Sequence, residues 1–301
     1  MSLLVTGSIG IDTVITPHGR ADEVLGGSAV YCSHAAALFT AVRLVAVVGE
    51  DFPASCRAQL ESERIDLAGL ETRAGSKTFR WAGKYSPDMN DRETVDVQLN
   101  VLAEPGARVP EAYAQSGLVF LANTHPATQL ELLAQVPGKR LSVCDTMDLW
   151  IETERDALDK TLAAVDGVII NDAEARQLTG RDNLVAAGEA VLAMGPRFAV
   201  IKKGEHGAML VTADSVTTVP AFPTKQVCDP TGAGDSFAGG MLGYLDACGQ
   251  SDVAALRRAV VRGTVTASFT IEDFSLTRLR GVTVDEVEAR VRRFVAMLRI
   301  E

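Results

Sequence analysis

The sequence predicts an α/β protein: a three-layer αβα sandwich with a mainly parallel central sheet and a small inserted β lid. From residue 117 onward, short apolar strands alternate regularly with helical segments, which indicates parallel strands joined by right-handed crossovers. Residues 77–102 instead alternate apolar and polar side chains, a period typical of half-exposed antiparallel strands. The 301 residues are 47% apolar, enough for a sizeable core. We therefore expect a single domain, 1–301, with a lid formed by roughly 12–27 and 75–102.

Composition excludes several classes of partner. The formal net charge is −10, from 29 basic and 39 acidic residues, and the basic residues are dispersed. This argues against nucleic acid or an anionic membrane as a partner. No apolar run reaches the length of a membrane span, and the start lacks the pattern of a signal peptide. The five cysteines are widely spaced without a metal-ligand pattern, so we expect reduced cysteines and a cytoplasmic protein.

The first predicted strand, 3–7, ends in glycine and is soon followed by Asp12. Ligands of open α/β sheets bind past the carboxyl ends of the strands, so Asp12 is a candidate substrate ligand, or else a turn-forming residue. Next, Gly26 and Gly27 precede an alanine-rich helical run, 28–39. Paired glycines let a ligand lie close to the backbone, which makes both candidates for substrate binding. A second strand, 42–48, and a helix from Pro53 to about residue 64 follow.

In the predicted lid, one face is aromatic and aliphatic, and the other is polar. The apolar face needs cover from the main domain or from a second subunit, so a homodimer through the lid is a candidate assembly. The polar face carries Arg80, Asp96, Gln98 and Asn100. We interpret it either as a set that binds a polyhydroxy substrate, with Asn100 as a candidate ligand, or as an ordinary solvated sheet face.

The second half of the chain places polar residues after successive strands. Asn123 follows strand 118–121 and is a further candidate substrate ligand. Asn171 and Glu174 follow strand 167–170, where an ordinary helix-capping box is the alternative to a phosphate or metal role. After strand 198–201 come the next candidates: Lys202, either a phosphate ligand or a solvated cation, and the hairpin glycines Gly204 and Gly207.

The most informative stretch is Cys228–Gly240, which reads C-D-P-T-G-A-G-D-S-F-A-G-G. The pattern becomes helical from Ser236, so Gly232-Ala233-Gly234 should form the first turn of a helix or the loop that feeds it. The first amides of a helix lack internal partners and attract phosphate. A carboxylate beside them, Asp235, can accept a proton from a hydroxyl that attacks a phosphoryl group. The alternative is a Gly-rich turn before a core helix.

This stretch resembles the C-terminal signature D-T-x-G-A-G-D of the ribokinase-like (PfkB) carbohydrate kinases. Gly26-Gly27 resembles the family's N-terminal signature, but the position of its sugar-binding Asn falls on Tyr31 here. The resemblance implies a ribokinase-like fold with Asp235, Gly232, Ala233 and Gly234 as catalytic residues.

The same resemblance implies further site residues. The substrate would contact Asp12 and Tyr31, and an aromatic substrate would suit Tyr31. The alternative is that Tyr31 is a core residue of its helix. The nucleotide phosphates would lie near Asn171, Gly204, Gly207 and Thr231. Glu174 would hold Mg²⁺ through water, and Asp229, Thr270 and Ser275 are candidate K⁺ ligands.

We therefore expect an enzyme, an ATP- and Mg²⁺-dependent kinase of a small sugar-like alcohol. A nucleoside kinase of the same family and a non-catalytic nucleotide or metabolite sensor are the alternatives. The patterns of a Walker P-loop, a protein kinase and a Rossmann dehydrogenase are absent from the sequence.

Overall fold

A computed structural model describes residues 2–62 and 64–299. The predicted domain, 1–301, thus includes four positions that lie outside the described residues: Met1, Glu63, Ile300 and Glu301. The main sheet has nine strands in the order β13-β12-β11-β10-β9-β8-β1-β4-β5. These strands are β1 (Ser2–Thr6), β4 (Ala41–Gly49), β5 (Ile65–Arg73), β8 (Leu118–Leu121), β9 (Leu141–Cys144), β10 (Gly167–Asn171), β11 (Phe198–Lys202), β12 (Ala208–Thr212) and β13 (Ser215–Val219). They pair in parallel except at β11–β12 and β12–β13, which are antiparallel.

Helices cover both faces of this sheet. They are α1 (Ser28–Ala37), α2 (Ala54–Leu60), α3 (Pro126–Ala134), α4 (Asp148–Thr153), α5 (Arg155–Ala164), α6 (Asp172–Thr179), α7 (Leu184–Leu192), α8 (Ala233–Cys248), α9 (Val253–Thr270) and α10 (Val284–Met297). Two separate apolar cores result. One is packed by α1, α8, α9 and α10, and the other by α3, α5, α6 and α7. The structure therefore confirms the three-layer αβα sandwich.

The lid is a separate sheet of four strands, in the order β3-β2-β6-β7. Its strands are β2 (Gly10–Thr16), β3 (Gly19–Gly26), β6 (Phe79–Tyr85) and β7 (Arg92–Gln98). The sequence predicted a lid from roughly 12–27 and 75–102, with antiparallel strands expected only within 77–102. The difference has a physical reason, because a lone hairpin is marginally stable in water and gains stability from further strands. Parallel pairing of β2 with β6 joins the two hairpins.

The register shows which lid face meets the main domain. Asp12 pairs with Trp81, and Val14 pairs with Gly83, so these side chains share one face of the sheet. Val14 is fully buried on that face. The same face continues to Tyr85, whose partner on β7 is Arg92. The aromatic side of β6 is therefore the inner face of the lid.

The described part of the chain contains no helix that is long and apolar enough to cross a bilayer. The predicted helix that starts at Pro53 is also shorter than expected. It ends at Leu60, where the backbone of Glu61 becomes extended.

Candidate active site

The N-terminus of α8 forms a small cradle of backbone amides. Gly232 precedes the helix in a left-handed conformation, with φ of 74°, and no described side chain caps this end. The amide of Ala233 donates to the Pro230 carbonyl oxygen at 3.1 Å, whereas the amides of Gly232 and Gly234 have no acceptor in the described chain. Two of the three predicted amides are thus available to an anion, which the helix dipole also favours.

Tyr31 forms the floor of this cradle. A Cβ atom at Gly232 would lie 2.3 Å from ring carbons of Tyr31, so only glycine fits above the ring. Tyr31 is 1% exposed, and its hydroxyl oxygen has no hydrogen-bond partner among the described residues. The sequence placed Tyr31 against the substrate as a pocket residue. The structure places its ring beneath the anion loop instead, because α1 packs against α8 at this point.

Asp235 lies in the first turn of α8, next to the cradle. Burial raises the pKa of its carboxyl group from 3.8 to about 6, and the negative charge of Asp145 adds to this. Lys202 and Arg92 act in the opposite direction. A carboxyl group with a pKa near 6 is ionised at neutral pH and more basic than an ordinary aspartate, as a proton acceptor requires.

Lys202 ends β11 and extends toward the same helix terminus. Its Nζ lies 3.6 Å from Asp145 Oδ2 and would lie 3.1 Å from a Cβ atom at Gly234. Burial alone would lower the pKa of Lys202, but the charges of Asp145, Glu174 and Asp235 outweigh this effect and raise it. Lys202 is therefore a charged ammonium group at the mouth of the cradle, and Asp145 is a neighbour that the sequence did not single out.

Asn171 and Glu174 form a reciprocal capping box at the start of α6. The Glu174 amide donates to Asn171 Oδ1 at 2.8 Å, and the Asn171 amide donates to Glu174 Oε2 at 2.7 Å. The capping role named above as the alternative is thus present. Burial and the charge of Asp145 raise the pKa of Glu174 to about 7, against the effect of Lys202.

Asp12 is held against the paired glycines. It is 4% exposed, its Oδ1 has no partner in the described chain, and its Oδ2 would lie 1.8 Å from a Cβ atom at Gly26. Burial raises the pKa of Asp12 from 3.8 to about 7, with further contributions from Asp229 and Asp235. Gly27 has φ of 105° and directly precedes the first residue of α1. The charge of Asp235 thus contributes to the raised pKa of Asp12.

Asn123 and Asn100 make structural contacts. Asn123 Oδ1 accepts from Trp150 Nε1 at 3.0 Å, and Asn123 Nδ2 lies 3.1 Å from the Met147 sulfur atom. Asn100 Nδ2 donates to the Thr78 carbonyl oxygen at 2.8 Å, and its backbone has φ of 48°. Asn123 therefore orients Trp150, while Asn100 fixes the end of the lid.

The hairpin between β11 and β12 supports Gly204 and Gly207 in left-handed conformations, with φ of 52° and 87°. A Cβ atom at Gly207 would lie 2.1 Å from the Val219 carbonyl oxygen, so glycine is required there. The lid reaches this hairpin, because Asn90 Nδ2 donates to Glu205 Oε1 at 3.3 Å.

A second lid contact ends at the cradle: Thr231 Oγ1 and Tyr85 Oη lie 3.1 Å apart. Sequence reasoning missed Tyr85 and Arg92 as site residues. The strict alternation of 79–85 was the available signal, since it separates an aromatic face from a polar one. The polar-face residue Arg80 bonds with Glu23 at 3.2 Å and lies 3.7 Å from Asp51.

The carboxylate oxygens of Glu174 and Asp145 near Lys202 are suitable ligands for a divalent cation whose remaining ligands come from outside the protein. Hard cations such as Mg²⁺ prefer carboxylate oxygens and keep several waters. In residues 2–62 and 64–299, no three His, Cys, Asp or Glu side chains could hold a metal ion alone. Glu174 uses Oε2 for the cap, which leaves its second oxygen for a water. A Mg²⁺ ion here would therefore need nucleotide phosphates and water as ligands.

Asp229 and Ser275 lie in one buried cluster. Asp229 is 1% exposed and accepts from the amides of Thr231 at 2.8 Å and Ser275 at 3.3 Å. Burial raises its pKa, and no basic side chain pairs with it in the described chain. The Ser275 hydroxyl donates to the Leu25 carbonyl oxygen at 2.6 Å. Thr270 Oγ1 is buried without a partner among the described residues, and the carbonyl oxygen of the next residue, Ile271, accepts from the Asp229 amide at 3.4 Å.

Comparison with known proteins identifies the family. The model of the pfkB family carbohydrate kinases matches residues 4–278. A cytidine kinase from Thermococcus kodakarensis is 35% identical over 254 residues, which cover 81% of this chain and 88% of that protein. A nucleoside kinase from Methanothermobacter thermautotrophicus is 27% identical over 257 residues, which cover 84% of this chain and 78% of that protein.

Solved structures support the fold. The Burkholderia thailandensis nucleoside kinase in complex with inosine matches with a TM-score of 0.78 at 18% identity, covering 98% of this chain and 99% of that one. The Vibrio cholerae fructokinase with fructose, ADP and calcium matches with a TM-score of 0.77 at 19% identity, covering 96% and 98%. The predicted family, fold and enzyme class are confirmed, and the chain belongs to the pfkB family of carbohydrate kinases.

Proposed function

We propose that the chain transfers the γ-phosphoryl group of ATP to a hydroxyl group of a small sugar-like substrate, with Asp235 as the proton acceptor. The family is a kinase family, and its members act on sugar-like substrates. One observation carries the assignment of Asp235. Its carboxyl group, with a pKa of about 6, lies in the same helical turn as the free amides of the cradle.

The acceptor hydroxyl lies between two carboxyl groups in this proposal. Asp12 orients the acceptor by hydrogen bonding, and its unpartnered Oδ1 is the atom that remains for this. Asp235 takes the proton as the hydroxyl oxygen attacks. The amides of Gly232 and Gly234 donate to the oxygens of the group in transfer, where negative charge is stabilised most effectively. Thr231 holds the loop in place through its contacts with Asp229 and Tyr85.

The nucleotide phosphates lie toward β10 and β11. Lys202 meets them as a fixed positive charge, and Asn171, Gly204 and Gly207 shape the surface beside it. Mg²⁺, when bound with the nucleotide through Glu174 and water, supplies charge neutralisation. The inner face of the lid covers the acceptor and excludes water that would otherwise compete for the phosphoryl group.

A nucleoside is the second candidate acceptor. The inner lid face presents Trp81, and a second indole, Trp150, lies beside Asn123 and packs against His125 in a tilted arrangement, with ring centroids 5.1 Å apart and ring planes at 60°. Flat aromatic surfaces suit a nucleobase better than a polyol. The 35% identical relative is a cytidine kinase, which favours the same class. Tyr31 no longer supports this candidate, because its ring is packed beneath Gly232.

Three further proposals accompany this function. K⁺ binds at Asp229, Thr270 and Ser275, as the buried and unpaired carboxylate favours. Two subunits associate through the lid, since Val95 and Val97 on β7 are 57% and 50% exposed. The enzyme acts in the cytoplasm, which the five free cysteines favour. A non-catalytic sensor is disfavoured because Asp235 and the cradle are both in place.

A coupled ADP-release screen over sugars, sugar acids, inositols and nucleosides tests the proposal. We expect release with at least one acceptor, and no release above background with Asp235→Asn. Product analysis by phosphorus NMR identifies the modified hydroxyl group. Failure of every acceptor class, with ATP and Mg²⁺ shown to bind, would overturn the proposed function. Nucleoside hits without sugar hits would replace the first acceptor class with the second.

A further inference from the structure

Two of the polar contacts between the lid and the main domain involve loops beside the site. Tyr85 Oη bonds with Thr231 Oγ1 in the anion loop at 3.1 Å. Asn90 Nδ2 bonds with Glu205 Oε1 in the β11–β12 hairpin at 3.3 Å. Tyr85 is only 9% exposed, so this bond lies under the lid and not at its rim. The described lid is thus in contact with the groups that surround the transfer site.

Arg92 starts β7 directly across from Tyr85. Its guanidinium carbon lies 5.3 Å from the centroid of the Trp81 ring, within the range of a cation–π interaction. Trp81 in turn pairs with Asp12 on β2. Arg92 is exposed, but its ladder position and its contact with Trp81 place it at the edge of the lid face that carries Asp12.

The other basic residues of these two strands point elsewhere. Arg80 is paired with Glu23 and lies near Asp51, at distances of 3.2 Å and 3.7 Å. Lys84 is exposed and lies opposite Glu93 in the ladder. Within the described part of β6 and β7, Arg92 is thus the basic residue whose ladder position faces the site.

The charges around Asp235 make this position significant. The charges of Asp145 and Lys202 from the main sheet and of Arg92 from β7 act on the pKa of Asp235, and Asp235 in turn raises the pKa of the buried Cys32 thiol of α1. Asp12 is the second buried carboxyl group, with Asp229 near it. Arg92 lowers the pKa of both Asp12 and Asp235 against the stronger effect of burial.

We propose that Arg92 is a positioning residue that links lid closure to the chemistry: the closed lid brings its positive charge over Asp12 and Asp235 and keeps Asp235 ionised. This inference rests on the proposed function of Asp235 as proton acceptor. The Tyr85–Thr231 bond acts as the latch that holds Arg92 in this place. With the lid open, the positive charge of Arg92 is no longer near Asp12 and Asp235. Asp235 is then less readily ionised and is a poorer proton acceptor.

The test compares Arg92→Gln, Arg92→Lys and the matched lid control Lys84→Gln, each checked for folding by thermal unfolding. We expect Arg92→Gln to lower kcat about two- to threefold at pH 6.5 and much less at pH 8.5, because the acid limb moves to higher pH by about half a pH unit. Arg92→Lys should recover most of this loss, and Lys84→Gln should match the wild type. A deficit that is equal at both pH values and not recovered by lysine would overturn the proposal, as would an unaffected Arg92→Gln.

A measurement without turnover separates this inference from the proposed function. Carbon NMR of ¹³C-labelled aspartate carboxyl groups follows the titration of the buried pair in wild type and Arg92→Gln. Assignment uses Asp12→Asn and Asp235→Asn. We expect both titration midpoints to rise in Arg92→Gln, even if no acceptor has been identified. Unchanged midpoints would overturn the role of Arg92 while leaving Asp235 as a candidate proton acceptor.

Discussion

Replacing Asp12 by Asn should make the folded protein more stable at alkaline pH while it impairs catalysis. Burial raises the pKa of Asp12 from 3.8 to about 7, so the folded state binds a proton that the unfolded state has lost between these pH values. Stability conferred by the protonated form therefore falls as pH rises through that window. The difference of about 3 pH units corresponds to at most about 4 kcal/mol.

Asparagine is neutral at every pH and similar in size to aspartate, so it fits beside Gly26. We expect Asp12→Asn to unfold with nearly wild-type free energy at pH 4.5 and to exceed it by about 1–3 kcal/mol at pH 8.5. For a chain of this size, that is a rise in Tm of roughly 2–4 °C per kcal/mol. Urea unfolding and calorimetry at both pH values measure the effect.

The matched control is Asp96→Asn, which removes an exposed carboxylate of the lid. This variant should show the same pH dependence of stability as the wild type. Parallel stability curves for the wild type and Asp12→Asn, with a constant difference from pH 4.5 to 8.5, would refute the reasoning. They would mean that Asp12 is ionised at low cost in the folded protein, contrary to its burial.

Further predictions concern the transfer site and the lid. Asp235→Asn should lower kcat by several orders of magnitude while calorimetry still detects nucleotide binding; near-normal turnover would reject Asp235 as base. The wild-type kcat should fall as pH drops through about 6, where Asp235 gains a proton. Glu174→Gln should raise the Mg²⁺ concentration needed for half-maximal rate, and an unchanged titration contradicts its role. Val97→Glu should turn a dimer into a monomer in light scattering, whereas a monomeric wild type contradicts the lid interface.

The layers of the fold were predictable because they depend on local periodicity. Alternation of strands and helices from residue 117 onward identifies the parallel sheet. The lid was harder, since β2 pairs with β6, more than fifty residues away in the sequence, and β3 joins the sheet only through β2. Their local sequence contains glycine, proline and charged residues that mask the strand pattern, and only the long-range pairing makes them strands.

The parts of the site that the backbone forms were predictable from the sequence. The side-chain contacts were less predictable, because each side chain has several possible partners. The Gly232–Gly234 turn followed from its composition. The contacts of Tyr31 and Asn123 did not follow from the sequence. Only packing decides that the Tyr31 ring lies beneath Gly232 and that the Asn123 amide bonds with Trp150. Lys202 and Asp145 are 57 positions apart in the sequence, and their proximity arises because β9 and β11 are parallel strands that flank β10 and end at the same edge of the sheet.

The buried acids also affect how this protein should be handled in calorimetry. Asp12 and Glu174 each have a pKa of about 7, so both carboxyl groups are partly protonated at neutral pH before a ligand binds. Binding of a divalent metal complex beside Glu174 should release part of these protons into the buffer. The apparent heat of association will then depend on the ionisation enthalpy of the buffer, and values from Tris and phosphate will disagree until that contribution is subtracted.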